Sequence, residues 1–176
     1  MCLLVGTTGV GKTLLLKRLQ HCSNKGSFSE VNEAPATIPT VGTNLVNVNI
    51  GKKNDVTIRE LGGCMGPIWH NYYKDCSVLM FMIDMANPCQ VASSCIQLLT
   101  VLSHEQLQNV SVLLLLNKVD SPCAMNRNEL DSLLRMREII SHAKQTITVL
   151  EISARRGQGL PELVKWLNEN HQPESS

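Results

Sequence analysis

An α/β fold, doubly wound around a mostly parallel sheet with one antiparallel edge hairpin and helices on both faces, is predicted by three features of this 176-residue sequence. The first is a pair of nearly continuous apolar runs, residues 78–83 and 110–116, which suit parallel strands buried on both faces. The second is the placement of helical patterns between and after such runs. The third is the glycine-rich stretch GTTGVGKT at residues 6–13, lying between an apolar run at 2–5 and the helical-looking TLLLKRLQ. A sheet wound this way takes its ligands above the carboxyl ends of its strands, so function is sought in the loops that leave those ends.

Taken in order, residues 14–22 continue the helix opened by the glycine-rich loop. Residues 23–39 are polar, punctuated by Gly26, Pro35 and Pro39, and lack apolar periodicity. A loop of that length inside a compact domain is usually functional or disordered. Residues 45–50 alternate apolar side chains with Asn, the turn sequence GKKND follows, and 56–61 is apolar-rich again, which predicts the antiparallel hairpin. Helical patterns follow at 90–102, at 129–144 with a break, and at 160–170. Residues 1–172 read as one domain, long enough to cover a sheet on both faces, and 173–176 as a short polar tail.

Composition excludes several classes. A net charge of +1 with 18% charged residues gives no broad basic field for nucleic acid or an acidic membrane. Seven cysteines, an odd number with no close CxxC pair, argue for reduced thiols in a cytoplasmic protein rather than a disulfide framework or a zinc site. His21, His70, His104, His142 and His171 are scattered and form no ligand set. No apolar run approaches the length of a membrane span, and the opening MCLLVG is too short for a secretory signal.

GTTGVGKT fits the phosphate-loop pattern, two glycines with four residues between them followed by Lys and Thr. Gly6, Gly9 and Gly11 let successive backbone N–H groups turn toward one anion, and the first turn of the next helix adds its positive end. The backbone through Thr8, Val10 and Leu14 belongs to the same expected cradle. Lys12 would reach the β- and γ-phosphates, and the Thr13 hydroxyl would face a magnesium ion. The bland alternative is a glycine-rich turn joining a strand to a helix.

A second motif, Asn117-Lys118-Val119-Asp120, follows the apolar run VSVLLLL. Asp120 can accept hydrogen bonds from the N1–H and 2-amino groups of guanine, whereas adenine has no 2-amino group and presents an acceptor at N1. The stem of Lys118 can lie on the base, and Asn117 can tie the loops together. Glu151-Ile152-Ser153-Ala154 ends another strand, and its Ser153-Ala154 backbone would supply an N–H to guanine O6. Here the alternative is an ordinary polar turn after a strand.

With GTTGVGKT, IPTVGTN, RELGGC, NKVD and EISARRGQGL in this order, nearly the whole chain resembles the ADP-ribosylation-factor-like small GTPases. The resemblance implies the phosphate-loop small GTPase fold, GTP/GDP and Mg²⁺ as ligands, and a monomeric molecular switch. It implies that Thr40 closes on magnesium and the γ-phosphate in the GTP state, and that Gly63 offers its N–H to the same phosphate. Effector proteins, an exchange factor and a GTPase-activating protein are the implied partners, in membrane traffic or cilia. Relatives of the Arf type begin with a myristoylated amphipathic helix; this chain starts directly on its first strand, so insertion of that kind is not expected, and membrane recruitment would run through partners.

Departures from the family pattern carry most of the information. Glu60 stands where the family has Asp, and is expected to hold magnesium through a water. Cys64 stands where the family has the Gln that orients the attacking water, and a thiol cannot reproduce the amide's paired donor and acceptor. Hydrolysis is therefore expected to be weak, with catalysis resting on Lys12 and Thr40. The family's exposed aromatic triad maps to Thr43, Arg59 and Tyr72, so one aromatic remains, and the segment from Cys64 to Trp69 is short. Trp69 is expected to be buried, with a partner anchor as the alternative. Asp84 reads as structural rather than catalytic, and Arg155-Arg156 as a solvated pair beside the nucleotide loop, with a role near the base as the alternative. Two other classes stay open: a GTP-binding module without turnover, and a nucleotide kinase, against which NKVD and the lack of an Arg-rich lid both argue.

Overall fold

The computed structural model describes residues 1–25, 36–51 and 54–171. Residues 26–35 of the long polar loop, residues 52–53 of the GKKND turn and the tail at 173–176 lie outside the described residues. Six strands form one sheet: β1 (Cys2–Gly6), β2 (Thr43–Gly51), β3 (Asn54–Leu61), β4 (Val78–Asp84), β5 (Ser111–Asn117) and β6 (Ile147–Ile152), in the order β2-β3-β1-β4-β5-β6. Only β2 runs antiparallel to its neighbour; the other pairings are parallel.

The helices are α1 (Lys12–Lys25), α2 (Pro88–Ser103), α3 (Arg127–Leu134), α4 (Met136–His142) and α5 (Leu160–Asn170). Leu15, Leu16 and Leu19 of α1 and Leu163 and Leu167 of α5 pack on one face with Leu4, Met80 and Met82. On the other face Val91, Leu98 and Leu130 pack with Leu3, Val5, Phe81 and Ile83. Alternate residues of β1 and β4 thus enter different cores, which is why these strands are apolar without alternation. The edge strand β2 does alternate: Val46, Val48 and Ile50 are buried while Asn47 and Asn49 bond the neighbouring strand at Thr57 and Asp55.

The break expected within 129–144 falls at Arg135, whose φ of 49° is left-handed and separates α3 from α4. At the start of α3 the Asn126 side chain accepts from the Glu129 N–H while the Glu129 carboxylate accepts from the Asn126 N–H, a reciprocal cap. A short 3₁₀ segment, Gly63–Tyr72, follows β3. Trp69 within it is 1% exposed, donates from Nε1 to the Gly62 carbonyl at 3.0 Å and meets Phe81 edge-on. Truncating so large a buried side chain costs about 3–5 kcal/mol, so Trp69 anchors the segment to the core. Of the triad positions, Thr43 is exposed and the Arg59 guanidinium lies 5.6 Å from the centre of the Tyr72 ring.

Candidate functional site

The loop from β1 to α1 surrounds a buried cation. Lys12, 5% exposed, donates from Nζ to the carbonyls of Gly6 at 2.8 Å and Thr7 at 3.0 Å. Burial lowers its pKa to about 8, against the opposing influence of Glu60 and Cys64. An ammonium group held by neutral carbonyls in such a place is stabilised by any anion brought to the loop. Two glycines are required by close approach. A Cβ on Gly11, whose φ is +103°, would lie 2.6 Å from Asn117 Nδ2, and one on Gly63 would lie 2.3 Å from the Thr8 nitrogen. The backbone after β3 therefore rests directly on the phosphate loop. Thr8, Gly9, Lys12, Thr13, Thr40, Glu60 and Gly63 are among the residues around a cavity of about 190 Å³.

Three side-chain oxygens converge at its edge. Thr13 Oγ1 donates to Glu60 Oε1 at 2.5 Å, Thr40 Oγ1 donates to the same oxygen at 3.1 Å, and the two hydroxyl oxygens are 3.0 Å apart. Glu60 is 1% exposed, and its other carboxylate oxygen, Oε2, is buried without a hydrogen-bond partner. Among the described residues no group of three His, Cys, Asp or Glu side chains could hold a metal. One carboxylate and two hydroxyls instead form the hard, oxygen-only set with which a protein shares Mg²⁺ with phosphates. Cys64 is exposed, next to Gly63.

The base end lies on the other side of Gly11. Asn117, 2% exposed, donates from Nδ2 to the Val10 carbonyl at 2.7 Å and accepts at Oδ1 from the Ala154 N–H at 2.9 Å. A contact from that N–H to a guanine O6 would share its hydrogen with Asn117. Lys118, at φ 71°, reaches the Gly9 carbonyl at 2.8 Å and pairs with Asp84 Oδ2 at 2.6 Å. Ser153 Oγ donates to Asp120 Oδ1 at 2.7 Å, and Arg156 Nε is 3.8 Å from Asp120 Oδ2. Gly11, Leu14, Asn117, Lys118, Asp120, Arg155 and Arg156 line a cavity of about 470 Å³, within the usual range for small-molecule sites. Gly11 also borders the phosphate cavity, so the two are adjoining halves of one cleft.

A model of the ADP-ribosylation factor family matches residues 1–171. The chain belongs to the ADP-ribosylation factor family. It is 54% identical over 172 residues to human ADP-ribosylation factor-like protein 16, covering 98% of this chain and 86% of that protein. It is 30% identical to Drosophila melanogaster ADP-ribosylation factor-like protein 1, over 97% of this chain and 88% of the relative. Among solved structures, the Arl6 BBS3 small GTPase from Trypanosoma brucei with bound nucleotide analogue GppNp superposes with a TM-score of 0.78 at 19% identity, covering 96% and 94% of the two chains. As a member of this family of small GTPases, the chain is an Arf-like nucleotide-binding switch.

Two positions add to the residues read from the sequence of this Arf-family chain. Asp84, expected to be structural, pairs with Lys118 and accepts from the Ala86 N–H at 2.9 Å. Its signal was its place: it ends β4 directly beside Asn117 at the end of β5. Arg18 on α1 is 4% exposed and donates to the carbonyls of Ala154, at 3.2 Å, and Arg155, so it braces the base loop from beneath. No motif marks Arg18. Arg155 and Arg156 are exposed and also line the base cavity, which fits both the solvated pair and the alternative of a role near the base.

Proposed function

We propose that this chain binds GTP and GDP with magnesium and acts as a switch that hydrolyses GTP slowly. The observation that carries this reading is the pair of hydrogen bonds made by the Asn117 amide, which donates to the Val10 carbonyl on the phosphate loop and accepts from the Ala154 N–H on the last loop. One buried amide ties the phosphate loop to the loop after β6, whose Ser153 holds the Asp120 carboxylate.

Each residue then has a role. The backbone from Gly6 through Thr8, Gly9, Val10 and Gly11 to Leu14 wraps the phosphates, and Lys12 supplies positive charge at the β- and γ-phosphates. Asp120 accepts from guanine N1–H and the 2-amino group, with Ser153 holding the carboxylate in place. Ala154 faces the base, and Lys118, steadied by Asp84, covers it. Gly63 brings its N–H to the γ-phosphate. The orphaned buried oxygen of Glu60 and the adjoining Thr13 and Thr40 hydroxyls fit a magnesium ion, which when bound would neutralise charge developing on the phosphate oxygens.

Hydrolysis is an in-line attack of water on the γ-phosphorus that yields GDP and inorganic phosphate. Lys12 stabilises the transferred group, and Thr40 orders the site. The water lacks its usual orienting amide, because the Cys64 thiol is a single weak donor and acceptor. Exposed Ile38 and Val41 flank Thr40 and give effectors an apolar surface that depends on the nucleotide state. In membrane traffic or cilia this would couple GTP loading to partner recruitment.

A second reading, a GTP-holding module without turnover, draws on the same Cys64. Binding of fluorescent GDP, GTP and ADP followed by single-turnover phosphate release separates the possibilities. Strong preference for guanine with slow phosphate release supports the switch, and no release at long times supports the module. Equal affinity for ADP would overturn both.

A further inference from the structure

We propose that Glu60 coordinates the metal directly, without an intervening water; the proposal rests on the nucleotide-binding reading above. From the sequence, Glu60 is expected to hold magnesium through a water; the reach of its extra methylene, which brings Oε1 onto both hydroxyls, shortens that distance. Glu60 Oε1, Thr13 Oγ1 and Thr40 Oγ1 form a triangle with sides of 2.5, 3.1 and 3.0 Å. In an octahedron with Mg–O bonds of about 2.0–2.1 Å, neighbouring ligands are separated by about 2.8–3.0 Å. The three oxygens therefore have the spacing of one octahedral face, with a mean side close to the ideal. Calcium, with bonds of about 2.3–2.6 Å, would need neighbours about 3.3–3.7 Å apart in the same geometry. That spacing, set here by hydrogen bonds, is compatible with Mg²⁺.

Two further facts point the carboxylate at a metal. Glu60 Oε1 touches both hydroxyls, so a cation held by those hydroxyls would lie within reach of the same carboxylate oxygen. Glu60 Oε2 is buried and has no hydrogen-bond donor, so the carboxylate carries more acceptor capacity than the protein satisfies. A cation at the triangle would take up that negative charge. With a metal bound, each hydroxyl would turn the proton it now donates to Glu60 outward, toward phosphate or solvent, and offer a lone pair to the metal.

The experiment replaces Mg²⁺ with Mn²⁺ in the full chain loaded with a non-hydrolysable GTP analogue, and counts metal-bound waters by spin resonance in ¹⁷O-enriched water. Thr13, Thr40, Glu60 and two phosphate oxygens would fill all but one of about six positions, so one water is expected. Two waters in the wild-type chain would overturn the proposal while leaving nucleotide binding intact. The variant Glu60→Asp should gain one water relative to wild type, and an unchanged count would also overturn it. Should that variant fail to fold, the wild-type count alone decides. Failure of the wild-type chain to bind the Mn²⁺ nucleotide at all would remove the nucleotide reading and this inference together. Glu60→Gln, read by Mn²⁺ titration, should weaken metal affinity by at least the order of 10–100-fold that loss of an outer-shell partner costs, and an unchanged affinity would overturn the proposal.

Discussion

The two halves of the cleft are built differently. At the proposed base end, Asn117, Lys118, Asp120, Ser153, Asp84 and Arg18 are each held by hydrogen bonds, to one another or to the backbone of the neighbouring loops. Every motif residue there is one the family pattern calls for. At the phosphate end, Lys12, Thr13 and Gly63 keep that pattern, while Glu60 and Cys64 depart from it. The contrast teaches that recognising a nucleotide and consuming it are physically separable. Recognition needs preorganised partners on rigid elements, and hydrolysis needs in addition one residue that positions a water. On the proposed reading, this chain keeps the first requirement and changes the second.

The contrast breaks most readily at Asp120. Asp120→Asn replaces an acceptor with an amide that presents N–H to the guanine N1–H and 2-amino group. Guanine affinity should fall by about 10⁴-fold, measured by competition with fluorescent GDP, while xanthine nucleotides gain. A loss below tenfold would mean that Asp120 does not read the base.

Asn117→Ala tests the frame itself. It strands the buried Val10 carbonyl and Ala154 N–H and should cost about 2–4 kcal/mol of stability, with a lower melting temperature and weaker nucleotide binding together. A stable variant with intact affinity would show that the two loops need no common tie.

Cys64→Gln sharpens the other half. Restoring the amide should raise single-turnover hydrolysis by roughly tenfold or more, with GDP and GTP affinity unchanged. No acceleration would place the defect elsewhere, with Glu60 the next candidate.

The smallest effect expected is chemical rather than functional. Exposed Cys64, Cys89 and Cys123 should react with a maleimide in the native chain. Burial raises the pKa of Cys2 and pushes that of Cys76 to about 12, so both should stay unmodified until the chain unfolds. Nucleotide that slows labelling at Cys64 alone would confirm its place at the phosphate end.

Most of the fold was legible because strands buried on both faces read as unbroken apolar runs, and β2 as an alternating one. The cleft was legible where chemistry is carried by a motif, at residues 6–13 and 117–120. Asp84 was read as structural, but its partner Lys118 was not named, since one acidic residue after a strand has no periodicity to mark what it holds. Arg18 was missed because its partners, Ala154 and Arg155, lie more than a hundred residues away. The approach of Glu60 to both hydroxyls was likewise hidden, because one methylene's reach depends on where β3 ends relative to the phosphate loop.

The most direct test is the identity of the nucleotide released when the purified protein is denatured, resolved by chromatography against GTP, GDP and ATP standards. Guanine nucleotide near one per chain, mostly GTP, is the expected result of a complete base end joined to a phosphate end that lacks its orienting amide. Mostly GDP would show that the chain hydrolyses GTP without that amide, and adenine nucleotide would contradict the reading of Asp120.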